Sequence, residues 1–285
     1  MRPHPPIRPE LRQWILETTR AGHDVAEVLR LMHETGYSPH DSRRIIAAVL
    51  EMPIAALDAR ARPRNPAGPR IELPDGPRVV ADGHALRVML GAEAPPLRVF
   101  DGLLSGEECD ALIGLAKPRL ARARTVDAHG GQQIDAHRTS DGMFFALGEL
   151  PLVRRIESRI AALLGVPVDH GEGLQVLHYL PGQQYEPHQD WFDPQQPGYA
   201  AITATGGQRV ASVVMYLNTP EAGGGTAFPE IGLTVAAQRG AAVCFTYHSG
   251  DAASLHAGLP VRKGEKWIAT KWLRERPYRE PAKRR

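Results

Sequence analysis

The sequence predicts a mainly β fold with flanking helices: a double-stranded β-helix (jelly roll) core behind a small N-terminal helical module. Three observations lead there. After Val166 the chain holds only strand-like runs, at 172–180, 185–190, 208–217, 225–228, 231–236, 240–246, 253–257 and 265–273, punctuated by Gly and Pro. Two stretches with helical apolar spacing stand before them. Further upstream, a segment rich in Pro, Arg and Gly sets off a first block of helical pattern.

That first block spans residues 9–51. Leu11, Trp14, Ile15 and Thr18 follow a helical spacing. Asp24 stands where it can cap a second helix bearing Val25, Val28, Leu29 and Met32, which Gly36 ends. Ser38-Pro-His-Asp opens a third, with Ile45, Ile46, Val49 and Leu50. The expected module is one of packing or protein contact. Arg43 and Arg44 alone do not make the dense basic face of a DNA-reading helix. Residues 58–77 cannot pack a core and read as a linker.

Beyond it, Val79-Val80, Leu86 to Leu90 and Leu97 to Phe100 read as short strands. Ser105 with Glu108 three residues later is a capping-box signature, and Leu112, Ile113 and Leu115 supply that helix's apolar stripe. A second helix is expected from Pro151 to Leu164, with Val153, Ile156, Ile160 and Leu163 on one face. The expected division is a helical module at 1–57, a linker at 58–77, a catalytic domain at 78–276 and a basic, fraying tail at 277–285.

Composition narrows the partners. A chain of 285 residues buries a large core, and 42% hydrophobic with 23% charged residues is ordinary for a globular protein. A net charge of +2 gives no electrostatic case for nucleic acid or an anionic membrane. Cys109 and Cys244 cannot build a disulfide framework and are expected as buried thiols in a reducing compartment. The stretch Met-Arg-Pro-His-Pro-Pro-Ile-Arg-Pro-Glu lacks an apolar signal core, and no run of about 18 apolar residues follows. The expected location is the cytoplasm.

The chemistry concentrates in Glu-Pro-His-Gln-Asp-Trp, residues 186–191, and Ser-Leu-His, residues 254–256. In a strand, residues i and i+2 share a face, so His188 and Asp190 project side by side. With the distal His256 they make two imidazoles and one carboxylate, the facial triad of a non-haem Fe(II) oxygenase.

The surroundings extend the match. Tyr179 lies upstream in Leu-Gln-Val-Leu-His-Tyr-Leu-Pro-Gly-Gln-Gln-Tyr-Glu-Pro-His-Gln-Asp, and Lys266 follows His256 by ten residues. Between them stand Gln-Arg-Val-Ala-Ser-Val-Val-Met-Tyr-Leu-Asn (208–218) and Gly-Gly-Gly-Thr-Ala-Phe-Pro (223–229). From about Leu97 to Arg276 the chain resembles the prolyl 4-hydroxylase family of 2-oxoglutarate- and Fe(II)-dependent dioxygenases. The resemblance implies that His188, Asp190 and His256 hold Fe(II), with 2-oxoglutarate and O2 taking the other positions. It implies that Lys266 anchors the distal carboxylate of 2-oxoglutarate, with Tyr179 donating a hydrogen bond to it and Thr226 assisting. Lys263 and Lys271 are the nearby alternatives. Glu172, Tyr185, Arg209 and Trp272 fall where family members line a peptide groove, and Arg274 stands at another groove position. Ascorbate is the implied reductant for iron.

Two Gly/Pro-marked loops, 126–142 and 192–207, are expected to flank the metal mouth, where lid closure is one reading. The leading reading is hydroxylation of proline in a peptide or protein, giving succinate and CO2. Beside it stand a hydroxylase of a free amino acid or small metabolite, a nucleic-acid demethylating oxygenase, and a non-catalytic jelly-roll binding protein. A demethylating enzyme would be more basic and would anchor the cosubstrate by arginine. The intact triad and Lys266 argue against the non-catalytic reading.

Overall fold

The computed structural model describes residues 7–279 except 22, 24, 55, 58–68, 70, 127–131 and 135–136. The chain divides into two compact units, Met1–Pro66 and Ala67–Arg285. The first holds helices Pro9–Arg20, Val25–Glu34 and Pro39–Val49. Ser38 caps the third, its hydroxyl accepting the Asp41 N–H at 3.0 Å. Ile15, Val28, Met32, Ile46 and Leu57 close the core of this unit. The expected Asp24 cap lies outside the described residues.

The second unit opens with strands β1 (Arg78–Ala81), β2 (His84–Glu93) and β3 (Pro96–Asp101). Short strands β4 (Ala121–Arg122), β5 (Arg124–Val126) and β6 (Gln132–Ile134) precede β7 (Asp141–Phe145). Then come β8 (Leu174–Tyr179), β9 (Tyr185–His188), β10 (Arg209–Tyr216), β11 (Ala222–Gly223), β12 (Thr226–Phe228) and β13 (Leu233–Val235). The last are β14 (Ala242–Thr246), β15 (His256–Gly258), β16 (Val261–Lys263) and β17 (Lys266–Arg274). Each of the expected runs beyond Val166 overlaps one of these strands.

Nine strands pair in the order β1-β2-β3-β14-β10-β17-β8-β7-β4, and four in the order β13-β12-β15-β9. Side-chain alternation sorts the large sheet's residues between two cores. Ala211, Val213 and Met215 pack with Leu112, Val153, Ile156 and Ile160 from helices Gly106–Ala116 and Pro151–Leu164. Val214 and Tyr216 face the other way, toward Phe228 and Val235 of the small sheet. The central strands are thus covered on both faces, which is why 210–217 reads as an apolar run interrupted only by Ser212. Each fully buried aliphatic side chain on the helix face contributes about 1.5–3 kcal/mol. The arrangement is the jelly roll with flanking helices that the sequence predicts.

Several expectations are corrected. Strand β7 has no counterpart in the sequence reading, because Asp141-Gly142 looks like a turn. Gly142 is there because a Cβ would lie 2.7 Å from Leu177 Cδ2 in the paired strand. The run at 253–257 begins as a 3-10 turn, Ala252–Ser254, so its strand starts only at His256. Leu115, expected in the apolar stripe, is exposed. Much of the expected linker lies outside the described residues, but its end belongs to the second unit. Ile71 and Leu73 pack on the core, and Pro74 O accepts from Arg98 Nε at 3.1 Å. The tail is tied down as far as Tyr278, whose N–H reaches Asp169 O at 2.7 Å. Among the described residues no helix is long and apolar enough to cross a membrane.

Candidate active site

His188 ends β9, and His256 starts β15 directly opposite it in the antiparallel register. Asp190 arrives by a route the strand argument did not foresee. The strand stops at His188, and a bend carries Asp190 to the same point. Gln189 holds that bend: its Oε1 accepts from Ser254 Oγ at 2.8 Å and from Trp191 Nε1 at 3.0 Å. Asp190 Oδ1 lies 3.9 Å from His188 Nε2, and Oδ2 lies 3.5 Å from His256 Nε2. One ligand atom from each of the three residues falls within 4.8 Å of the others, the only such cluster among the described residues.

Their chemical states suit a metal. His188 Nδ1 sits 2.8 Å from Glu186 O, and His256 Nδ1 sits 3.0 Å from Ser254 O. A carbonyl only accepts, so each Nδ1 carries a proton and Nε2 is the nitrogen each ring offers a metal. Burial, with the neighbouring His256, pushes the His188 imidazole down to about 3, leaving it neutral. Burial works against ionisation of Asp190, but the two imidazoles, Arg209 and the Ser212 hydroxyl outweigh it and hold the carboxyl at about 2. Two imidazole Nε2 atoms and an ionised carboxylate are the donor set Fe(II) requires.

A second group converges beside the triad. Lys266 faces Tyr179 across the β17–β8 pair, and its Nζ lies 5.2 Å from the Tyr179 ring centre. A Cβ placed on Gly258, two residues past His256, would come within 3.8 Å of Lys266 Nζ and 3.6 Å of Tyr185 Cβ. The ammonium therefore sits beside β15 at Gly258, two residues past the ligand His256. Thr226 faces Gly258 and accepts from Tyr216 Oη at 2.8 Å.

Among the described residues neither the Lys266 ammonium nor the Tyr179 hydroxyl has a protein hydrogen-bond partner, although Lys266 is 1% exposed. Burial alone pushes the Lys266 ammonium down to about 8. A buried cation without a counter-ion is costly, and a dicarboxylate supplies one. The other lysines of the segment are committed. Lys271 pairs with buried Glu157 at 2.6 Å, and exposed Lys263 pairs with Glu221 at 2.5 Å. The residues present fit both Fe(II) and 2-oxoglutarate.

Three of the expected groove residues, Glu172, Arg209 and Trp272, form one cluster, and Tyr185 lies against the ligand His188. Glu172 accepts two hydrogen bonds from Arg209, at 2.6 and 2.8 Å, and one from Arg274 at 2.7 Å. Burial opposes its ionisation, and the two guanidinium groups outweigh that and hold the carboxyl below the ordinary range. Arg209 also lies 4.0 Å over the Trp272 ring, and Tyr185 stacks on His188 at 3.5 Å between centroids.

Four contributors escaped the sequence reading. Ser212 donates to Asp190, and Tyr247 meets Ser212. Arg138 lies 4.5 Å over Tyr185 and reaches Gln175 at 3.2 Å. Gln208 pins the base of the 192–207 loop: its amide accepts the Phe192 N–H at 2.8 Å and donates to Phe192 O at 2.7 Å and Ser249 Oγ at 3.0 Å. That loop carries a short helix, Tyr199–Thr203, while residues 127–131 and 135–136 of the other expected lid lie outside the described residues.

Comparison with known proteins agrees with this geometry. The profile of the 2OG-Fe(II) oxygenase superfamily matches residues 174–274, which include every triad ligand and Lys266. The chain is 42% identical to probable prolyl 4-hydroxylase 10 of Arabidopsis thaliana over 209 residues, 65% of this chain and 71% of that protein. It is 40% identical to prolyl 4-hydroxylase 5 of the same plant over 203 residues, covering 63% and 68%. Among solved structures, a viral collagen prolyl hydroxylase of Paramecium bursaria Chlorella virus-1 in complex with 2OG superposes with a TM-score of 0.50 at 30% identity. The match covers 62% of this chain and 95% of that one. With these relatives and this donor set, the chain belongs to the prolyl 4-hydroxylase family of 2-oxoglutarate- and Fe(II)-dependent oxygenases.

Proposed function

We propose that this enzyme hydroxylates proline within a peptide or protein, with His188, Asp190 and His256 holding Fe(II) and with Lys266, Tyr179 and Thr226 holding 2-oxoglutarate. The observation that carries the reading is the pairing of two imidazole Nε2 atoms and an ionised carboxylate with a buried, unpartnered ammonium beside Gly258, two residues past His256. When bound, iron, 2-oxoglutarate and O2 supply the oxidation that yields succinate, CO2 and a hydroxylated substrate. The protein's part is placement. The Asp190 carboxylate brings the negative charge, Lys266 neutralises the distal carboxylate of the cosubstrate, and Tyr179 offers it a hydroxyl. Phe228 and Phe245 pack on His256, with ring centroids 5.9 and 4.8 Å away, and keep water from that side.

The peptidyl preference rests on the groove. A free amino acid needs partners for both its ammonium and its carboxylate. Glu172 and Arg209, the pair otherwise suited to that task, are bonded to each other and to Arg274. Tyr185, half-buried beside His188, is the aromatic that supports contact with a ring held in an extended backbone, while Trp272 is buried beneath Arg209. Proline-containing peptides are expected to give succinate and a mass gain of one oxygen, and free proline and other free amino acids are not. Turnover of a free amino acid with none on any peptide would overturn the peptidyl reading and leave the oxygenase standing. Ascorbate as the reductant and the cytoplasm as the compartment belong to the same proposal. The family resemblance supports the first. Buried Cys109 and Cys244 thiols, an ordinary usage in reducing surroundings, support the second.

We also assign catalysis to the second unit and protein contact to the helical one. A chain beginning at Ala67 is expected to decarboxylate 2-oxoglutarate at the full-length rate. A chain beginning at Arg78 loses the packing of Ile71 and Leu73, on the order of 2 kcal/mol, and melts about 4–8 °C lower. A folded Ala67 chain that fails to bind iron would end this division.

A further inference from the structure

Asp190 is held from behind by two hydroxyls in series. Ser212 Oγ lies 2.5 Å from Asp190 Oδ2, and Tyr247 Oη lies 2.8 Å from Ser212 Oγ. All three side chains are buried. An ionised carboxylate only accepts, so the single Ser212 proton points at Asp190. Tyr247 must then donate to Ser212. The direction of the whole chain is fixed, from Tyr247 through Ser212 to the carboxylate.

The two hydroxyls come from elements unrelated to the bend that carries Asp190. Ser212 lies in β10 opposite Phe245 of β14, and Tyr247 follows β14 with its N–H bonded to Val210 O at 3.1 Å. The large sheet thus reaches across to a carboxylate that has left its own strand. A carboxylate in a bend is free to rotate unless something grips one oxygen. Here Oδ2 is gripped, and the grip is stiffened because the gripping hydroxyl is itself held.

We propose that Tyr247 is a positioning residue for the metal centre, acting through Ser212 to fix the orientation of the Asp190 carboxylate. The inference rests on Asp190 being a metal ligand. Outer hydrogen-bond partners of ligands typically change metal affinity by about 10–100-fold. A phenyl ring at 247 would fill the same space but leave the Ser212 hydroxyl free to turn away.

The test is anaerobic titration of the full-length chain with Co(II) alone, read by visible absorption, with thermal melting as a check on folding. Tyr247→Phe is expected to bind Co(II) roughly tenfold more weakly, and Ser212→Ala roughly 10–100-fold more weakly. Ser212→Thr, which keeps the hydroxyl, restores the affinity. Because the groups act in series, Tyr247→Phe/Ser212→Ala should match Ser212→Ala alone, whereas separate packing effects would multiply. Native Co(II) affinity in either single variant, or multiplied losses in the double, overturns the relay. The ligand assignment has its own control: undiminished Co(II) binding by Asp190→Ala would sink that assignment, while a strong loss there beside an unchanged Tyr247→Phe sinks only the relay.

Discussion

Asp190→Ala is expected to keep the fold and to lose 2-oxoglutarate decarboxylation to background, as are His188→Ala and His256→Ala. The loss should exceed the roughly 10–100-fold typical of removing an outer hydrogen-bond partner, because a donor to the metal itself is gone. Asp190→Asn separates charge from shape. It retains an oxygen to accept from Ser212, which reaches Oδ2 at 2.5 Å, and removes the negative charge that completes the donor set. Equal loss in Asn and Ala variants would place the effect on charge. The histidine variants act differently. Each removes an Nε2 whose orientation is set by a backbone carbonyl, Glu186 O for His188 and Ser254 O for His256. Circular dichroism and melting would establish that each variant is folded, and cosubstrate decarboxylation would be followed without prime substrate. Near-normal activity of a folded Asp190→Ala chain would rule out the triad.

The sequence made the triad legible for a reason only partly realised. His-x-Asp was read as strand alternation, and the same residues meet because a bend held by Gln189 replaces the strand. Lys266 was legible through its spacing from His256, and what sets it apart from Lys263 and Lys271 is visible only once Glu221 and Glu157 are seen to occupy those two. Ser212, Tyr216 and Tyr247 were not legible. They lie in or just after apolar strands, where a hydroxyl residue reads as core, and their partners are fixed by pairing between segments far apart in sequence. Glu172 and Arg209 were read from the sequence as substrate-groove residues. Their bond to each other across 37 positions, with Arg274 as a third member, required the fold.

Lys266→Ala is expected to leave Fe(II) affinity intact and to weaken 2-oxoglutarate binding by about 2–5 kcal/mol, the cost of removing one member of a buried, hydrogen-bonded charge pair. That is roughly thirty-fold to several-thousand-fold in Kd. Lys266→Met, close in length and without charge, should lose nearly as much, which separates the ammonium from the packing of its stem against Tyr179. The pH dependence follows from burial. The Lys266 ammonium titrates at about 8 in the free protein, below its ordinary 10.5. Below pH 8 it is charged and ready for a carboxylate, so affinity should be flat. Above pH 8 each binding event must first take up a proton, so affinity should fall about tenfold per pH unit. The sign reverses for the stability of the free protein. Between pH 8 and 10.5 the unfolded chain holds more protons than the folded one, so this group's contribution makes folding more favourable as pH rises through that window. Lys266→Met should abolish both slopes. Unchanged 2-oxoglutarate affinity in Lys266→Ala would move the anchor to another cation, and with Lys263 and Lys271 already paired the candidates would be arginines, Arg138 first.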